Sequence, residues 1–200
     1  MVYPFTDSQI LGISTFPYSL KDFFLEGTQQ VSASWITLEN LSFPYCISIN
    51  SSYIYEQSTD ERINQNDAAI TLAHELGHYL GLRHVFSEGG TTSMCTDTDY
   101  CKDTPSYNRS EYEQWLNNLD KQNKYQLKDL AKRYSCEKGE YEAHNIMDYA
   151  YCFYNEITLE QRKRIRHILN YSPLIPGPKE SRIDTRGVQD RLNLPICIMK

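Results

Sequence analysis

The sequence lacks any apolar run approaching the roughly 20 residues that a membrane-spanning helix needs. It has no extended basic patch either. Twenty basic residues face 26 acidic ones for a net charge of −6, which speaks against nucleic acid as a partner. No Cys-x-x-Cys pair occurs among the six cysteines, so a thiolate zinc site of the finger type is not expected. The opening Met1-Val2-Tyr3-Pro4-Phe5 has no charged n-region followed by an apolar h-region, so no signal region is expected in this stretch.

What is present bounds the answer further. Two hundred residues can bury one sizeable core, and a single domain is the default. Cys46, Cys95, Cys101, Cys136, Cys152 and Cys197 are even in number, and four of them cluster between residues 95 and 152. That pattern points to disulfides and so to an oxidising, extracytoplasmic compartment. Cys197 is expected either to pair with Cys46 or to be free. An oxidising compartment without a leader is reconciled if the native N-terminal region is incomplete, and that is the expectation. Sixteen tyrosines are many, and most are expected at strands and core edges. A monomer is expected.

The densest chemistry lies at His74-Glu75-Leu76-Gly77-His78-Tyr79-Leu80-Gly81-Leu82-Arg83-His84. On a helix, residues four apart share a face about 6 Å apart along the axis. His74 and His78 can therefore share one zinc ion through neutral imidazoles. Glu75 lies on the same helix, placed to reach a zinc-bound water as a general base without ligating the metal. A third ligand requires the chain to stop being helical, and Gly81 permits the reversal because glycine takes positive φ freely. His84 can then approach from a new direction. Three ligands leave a position open for water, as in catalytic rather than structural zinc sites. A lone HExxH also occurs in metal-free helices, but the added Gly81 and His84 make chance remote.

The complete motif, with Asp103-Thr104-Pro105, Asn145-Ile146-Met147-Asp148-Tyr149, Ile157-Thr158 and Gln161, resembles the pappalysin family of metzincin zinc endopeptidases. The resemblance covers about Ala68 to Leu169. It implies an α+β zincin fold, with a small upper mixed β-sheet and an active-site helix above a mostly helical or irregular lower subdomain. The implied catalytic domain spans 1–172, with residues 1–81 above the cleft and 82–172 below it, and 173–200 form a linker or extension. It implies that Met147 lies in a Met-turn, an apolar floor beneath the imidazoles rather than a ligand. It implies that Tyr149 shares the oxyanion charge with zinc, and that peptides or proteins are the substrates. An upper edge strand would pair with extended substrate. A calcium site on the acidic loop, from Asp97, Asp99, Asp103 and Thr104, is also expected, since hard oxygen donors suit that ion. Against the peptidase stands a non-catalytic or latent binding module on the same scaffold. Its latency could come from a free Cys46 or Cys197 thiolate on the zinc.

The remaining chain gives local expectations. Val31 to Ile36 and Tyr45 to Ile49 read as strands, and Tyr53-Ile54-Tyr55 could extend the second. Asn66 or Asp67 would cap the motif helix, whose Ile70, Ala73, Gly77 and Leu80 face would lie under the sheet. Ser110 to Leu119, opened by a Ser110/Glu113 capping box, and Gln122 to Tyr134 read as helices. They would form a family-specific insertion that packs or shapes the cleft's primed side. Thr158 and Gln161 open another helix, reaching about Leu169, with Ile165, Ile168 and Leu169 inward. Arg162, Lys163, Arg164 and Arg166 would form its solvated face. His144 and His167 miss the ligand spacing and are expected to be structural. Ile196 to Met199 could form a short strand.

Overall fold

The structure is a computed structural model describing residues 1–175, apart from 38, 42–44, 60–62, 88–96, 121–122, 136 and 150. The Ile196 to Met199 strand therefore lies outside the described residues, as do Cys95, Cys136 and Cys197. Packing continues past residue 173, because Leu174 and Ile175 are buried.

A small three-stranded mixed sheet forms from the N-terminal part of the chain. Strand β5 (Ile47–Asn50) lies in its centre, parallel to β1 (Val2–Tyr3) and antiparallel to β2 (Gly12–Ser14). Strand β2 is thus an edge. A second, parallel pair joins β3 (Tyr18–Leu20) to β4 (Gln29–Val31). The expected Val31–Ile36 strand stops at Val31, and the Tyr45–Ile49 strand forms as Ile47–Asn50 without the extension through Tyr53-Ile54-Tyr55, each for a local reason. After Val31, the Ser32 hydroxyl accepts the Trp35 N–H and closes a 3₁₀ turn over Ala33–Trp35. After Asn50, its side-chain carbonyl accepts the Ser52 N–H and turns Ser51–Tyr53. Short polar side chains compete with ladder bonds in this way.

Helix α1 (Ala68–Tyr79) crosses beneath the sheet. Asp67 caps it, accepting the N–H groups of Ala69 and Ile70 at 2.8 and 3.1 Å. Burial pushes the Asp67 carboxyl up, but hydrogen bonds from Ser58, Ile70 and Ala69 outweigh it and hold the pKa below the usual value. Beyond Tyr79 the chain closes a Schellman turn. Leu82 N–H donates to Gly77 O and Gly81 N–H to His78 O, each at 2.9 Å, with Gly81 at φ +87°. A Cβ on Gly81 would meet Ile168 at 2.7 Å, so both conformation and space require glycine there.

Short helices and a β-hairpin follow. Helix α2 (Arg109–Asn117) starts one residue before the expected Ser110. The Asn108 side chain caps it, accepting from Ser110 and Glu111 N–H groups. The expected capping box gives way, and Glu113 instead pairs with Arg109 at 2.5 Å. The expected 122–134 helix shrinks to the single turn α3 (Leu127–Leu130). The chain then enters strand β6 (Lys132–Ser135), antiparallel to β7 (Gly139–Glu142). Alternation decides this: Arg133 and Ser135 are buried while Lys132 and Tyr134 are exposed.

Helix α4 (Leu159–Tyr171) opens with the expected Thr158/Gln161 capping box. Ile168 is fully buried and Ile165 packs on the core, but Leu169 is exposed. Nor is the basic run a uniform solvated face. Arg164 is buried, donating to Gly81 O at 3.1 Å and Glu26 O at 3.0 Å. It thereby ties α4 to the turn that ends α1. His144 contacts Asn155, and His167 contacts Phe23 O; neither joins the three motif histidines. Two apolar clusters support the molecule, Leu82, Val85 and Met147 in one, Phe86, Tyr107 and Tyr112 in the other.

Candidate active site

The three motif histidines converge as their spacing predicts. His84 Nε2 lies 3.2 Å from His74 Nε2 and 3.0 Å from His78 Nε2. Two carbonyls fix the tautomers. His74 Nδ1–H donates to Ile146 O and His78 Nδ1–H to Leu82 O, each at 2.8 Å. The Nε2 lone pairs of His74 and His78 therefore point at the same space. Bare lone pairs at such separations repel, and a cation removes the repulsion. Three nitrogens bonded tetrahedrally to zinc at about 2.0–2.1 Å would sit about 3.3 Å apart, close to the spacing found. Among the described residues this is the one group of three or more His, Cys, Asp or Glu ligand atoms gathered together. His74 is held neutral, with its pKa pushed down to about 3, first by burial and then by His78 and His84.

The same Schellman turn does two tasks. It frees His84 to return, and its Leu82 carbonyl orients His78. The Met-turn also does two. Ile146 O orients His74, while Val85 N–H donates to Met147 O at 3.3 Å. Met147 is fully buried against Gly77, where a Cβ would collide with its Sδ. The Gly77 face of α1 thus packs on the Met-turn, not under the sheet as expected. Asn145 and Gln161 exchange reciprocal amide bonds at 2.8 and 3.1 Å, locking the Met-turn to α4.

Glu75 is buried beneath the edge strand β2. A Cβ on Gly12 would lie 2.6 Å from Glu75 Cγ, so glycine lets the strand settle against the carboxylate. Burial raises the Glu75 pKa, and neighbouring Ser14 pulls it down. The Ser14 hydroxyl is itself buried and makes no well-formed hydrogen bond. Tyr149 stands over the histidines, its ring centroid 4.5 Å from His84 and 5.4 Å from His74. A cleft of about 460 Å³ brings His74, Glu75 and Tyr149 together with Gly12, Ile70 and Tyr154.

A buried ion pair supports Tyr149. Asp148 accepts from Tyr107 Oη at 2.5 Å and Tyr149 N at 2.7 Å, with Arg133 Nε 3.4 Å from its other oxygen. Burial pushes the Asp148 carboxyl up, against the pull of Arg133. Arg133 also donates to Tyr149 O at 3.2 Å and lies 3.7 Å over the Tyr112 ring. Replacing one member leaves the other charge poorly compensated, which typically costs about 3–5 kcal/mol. Arg133→Met should therefore lower unfolding stability by about that amount in a denaturant titration. A loss below about 1 kcal/mol, the range of a surface pair, would contradict the arrangement.

The structure does not gather the four calcium candidates. Asp97 accepts the N–H groups of Asp99 and Tyr100. Asp99 accepts from Cys101 N and Thr104 Oγ1. Its pKa is raised to about 7, chiefly by burial and also by Asp97. Asp103 turns instead to α4, accepting from Thr158 Oγ1 at 2.7 Å and Glu160 N at 2.9 Å. Helix capping thus accounts for Asp103 without an ion. Cys46, Cys101 and Cys152 carry free thiols, and none joins the histidine group.

Four cleft residues carry no motif that sequence reasoning could use. Gly12, Arg109, Gln65 and Tyr154 all line the cleft. Gln65 Oε1 accepts from Tyr151 N at 2.6 Å and Tyr154 Oη at 3.1 Å, clasping the segment after the Met-turn. The one local signal is Gly12, a strand glycine marking close backbone approach.

A glycine-ended helix with three converging imidazoles, and a methionine turn beneath them, defines a metzincin-type scaffold. The sequence model of the M43 peptidases, described as pregnancy-associated plasma protein-A, matches residues 35–170. The chain belongs to that family. An "Extracellular metalloprotease" of Arthroderma benhamiae is 37% identical over 108 residues, 52% of this chain and 32% of the relative. One of Trichophyton verrucosum matches equally, at 37% over 108 residues. The match thus spans about a third of these relatives' length. Among solved structures, Tannerella forsythia mature mirolysin in complex with a cleaved peptide aligns at a TM-score of 0.44 with 20% identity, over 84% of this chain and 50% of that one.

Proposed function

We propose that the chain acts as a zinc endopeptidase. The observation that carries this reading is one cleft, beside the edge strand β2, lined by Glu75, Tyr149 and His74, the last a member of the three-histidine cluster. His74, His78 and His84 would hold the metal. Zinc bound there would supply Lewis-acid polarisation of the scissile carbonyl and a water acidified to a pKa of about 7. Glu75 takes the proton of the attacking water and hands it to the leaving amine. Its raised pKa suits a group that must both accept and release a proton. Tyr149 donates its phenol hydrogen bond to the carbonyl oxygen as charge develops. Strand β2 offers its free edge to an extended peptide, recognising backbone more than side chains.

Kinship with proteins named as extracellular metalloproteases supports an extracytoplasmic site of action. Among the described residues no helix is long and apolar enough to cross a membrane. For the latent alternative, Cys46 Sγ lies 3.5 Å from Met1 Sδ and 3.8 Å from Ser48 Oγ, outside the histidine group. The test is digestion of a denatured protein mixture by the purified chain, with products identified by mass spectrometry. Internal cleavages are expected. Intact substrate with metal bound would favour the non-catalytic module.

A further inference from the structure

Arg109 begins α2, far in sequence from the zinc motif, yet it lines the same cleft as Glu75 and Tyr149. Its guanidinium carbon lies 4.6 Å over the Tyr149 ring and 5.1 Å over the Phe86 ring. Those two faces fix the group at the cleft wall. Through Nε it donates to Glu113 Oε1 at 2.5 Å, an exposed i,i+4 pair. A guanidinium has five N–H donors, and this hydrogen bond uses one. Exposed pairs of this kind are weak and exchange readily. The other charged side chains lining the cleft are acidic: Glu75, Glu113 and Asp148. Arg133 already compensates Asp148 from the buried side. Arg109 is therefore the one permanently cationic side chain among the described cleft residues.

We infer that Arg109 is a specificity-determining residue that binds an Asp or Glu side chain of the substrate. This rests on the peptidase reading above. The planar fork of arginine matches a carboxylate in two parallel hydrogen bonds, which a lysine ammonium cannot reproduce. By way of the Tyr149 ring, Arg109 is within about 10 Å of the imidazoles, a distance an extended peptide covers in about three residues. The favoured acidic residue thus falls within three positions of the scissile bond. The substrate carboxylate takes the guanidinium edge facing the cleft, and Glu113 either keeps Nε or swings into solvent.

The test uses peptides blocked at both ends, in pairs that carry Glu or Gln at each of three positions on either side of the cleaved bond. Blocking leaves the side chain as the variable carboxylate. Wild type should prefer Glu at one position by at least about tenfold in kcat/KM. The ratio should fall to about 1 in Arg109→Ala, drop below 1 in Arg109→Glu, and be partly retained in Arg109→Lys. A wild-type ratio near 1 at every position would overturn the inference. So would a ratio unchanged in Arg109→Ala while both peptides slow equally, since Arg109 would then only support Tyr149. Binding separates this from failure of the peptidase reading. The same pairs are titrated calorimetrically into zinc-loaded Glu75→Gln protein, with and without Arg109→Ala. Tighter binding of the Glu peptide, lost with Arg109, supports the site even where nothing is cleaved. Equal binding of both peptides overturns it.

Discussion

Glu75→Gln should reduce peptide cleavage by about 10²–10⁴-fold while leaving bound zinc unchanged. The amide keeps the shape of the side chain beneath Gly12, so strand β2 has no reason to shift. What disappears is the ability to take a proton from water. The carboxylate is no ligand, because the three gathered ligand atoms belong to His74, His78 and His84. Zinc content therefore separates this loss from unfolding. Cleavage retained near wild-type rates would mean that another group is the base, and the proton-transfer role would have to be abandoned. Loss of both zinc and cleavage would mean that Glu75 holds the site together.

His84→Ala should weaken zinc binding by at least about 100-fold, since even outer partners of metal ligands cost 10–100-fold when removed. The two remaining imidazoles are adjacent on one helix and cannot enclose an ion. The loss should extend to cleavage, because no metal would remain to polarise the carbonyl. The comparison is His144→Ala, whose ring contacts Asn155 rather than the cluster; that variant should keep its zinc. Equilibrium dialysis against a competing chelator reads both. If His84→Ala bound zinc as tightly as wild type, the 3.0 and 3.2 Å approaches of its nitrogen would have no metal-binding meaning.

The three-histidine cluster is legible in the sequence because its grammar is local. His74, Glu75, His78, Gly81 and His84 sit within one helix and one turn, so spacing alone fixes their geometry. Met147 and Tyr149 are readable through their motif, and the capping pair at Thr158 and Gln161 through a three-residue interval. The cleft walls are not legible. Gly12, Gln65, Arg109 and Tyr154 meet only after folding, and nothing near any of them in sequence names its partners. Arg164 resembles its solvated neighbours because its buried acceptors, Gly81 O and Glu26 O, lie on distant segments. The stretch from 122 to 134 misleads because Leu127, Leu130 and Ala131 fit helical spacing over one turn. The following β6 strand depends on pairing with β7 and on Arg133 reaching Asp148. On the acidic loop, Asp103 has calcium-ligand chemistry, but its contacts with Thr158 Oγ1 and Glu160 N at the start of α4 come from a segment 55 residues away and are not legible locally.

On the proposed function, the three-imidazole site is a zinc site that drives peptide cleavage. Its most direct test is a titration. The chain is stripped with a chelator, zinc is returned in fractions, and cleavage is followed against zinc bound per chain. The expected result is no cleavage in the stripped protein and a linear recovery that saturates at one zinc. Cleavage that persists without metal, or a fully loaded site that never recovers cleavage, would contradict it.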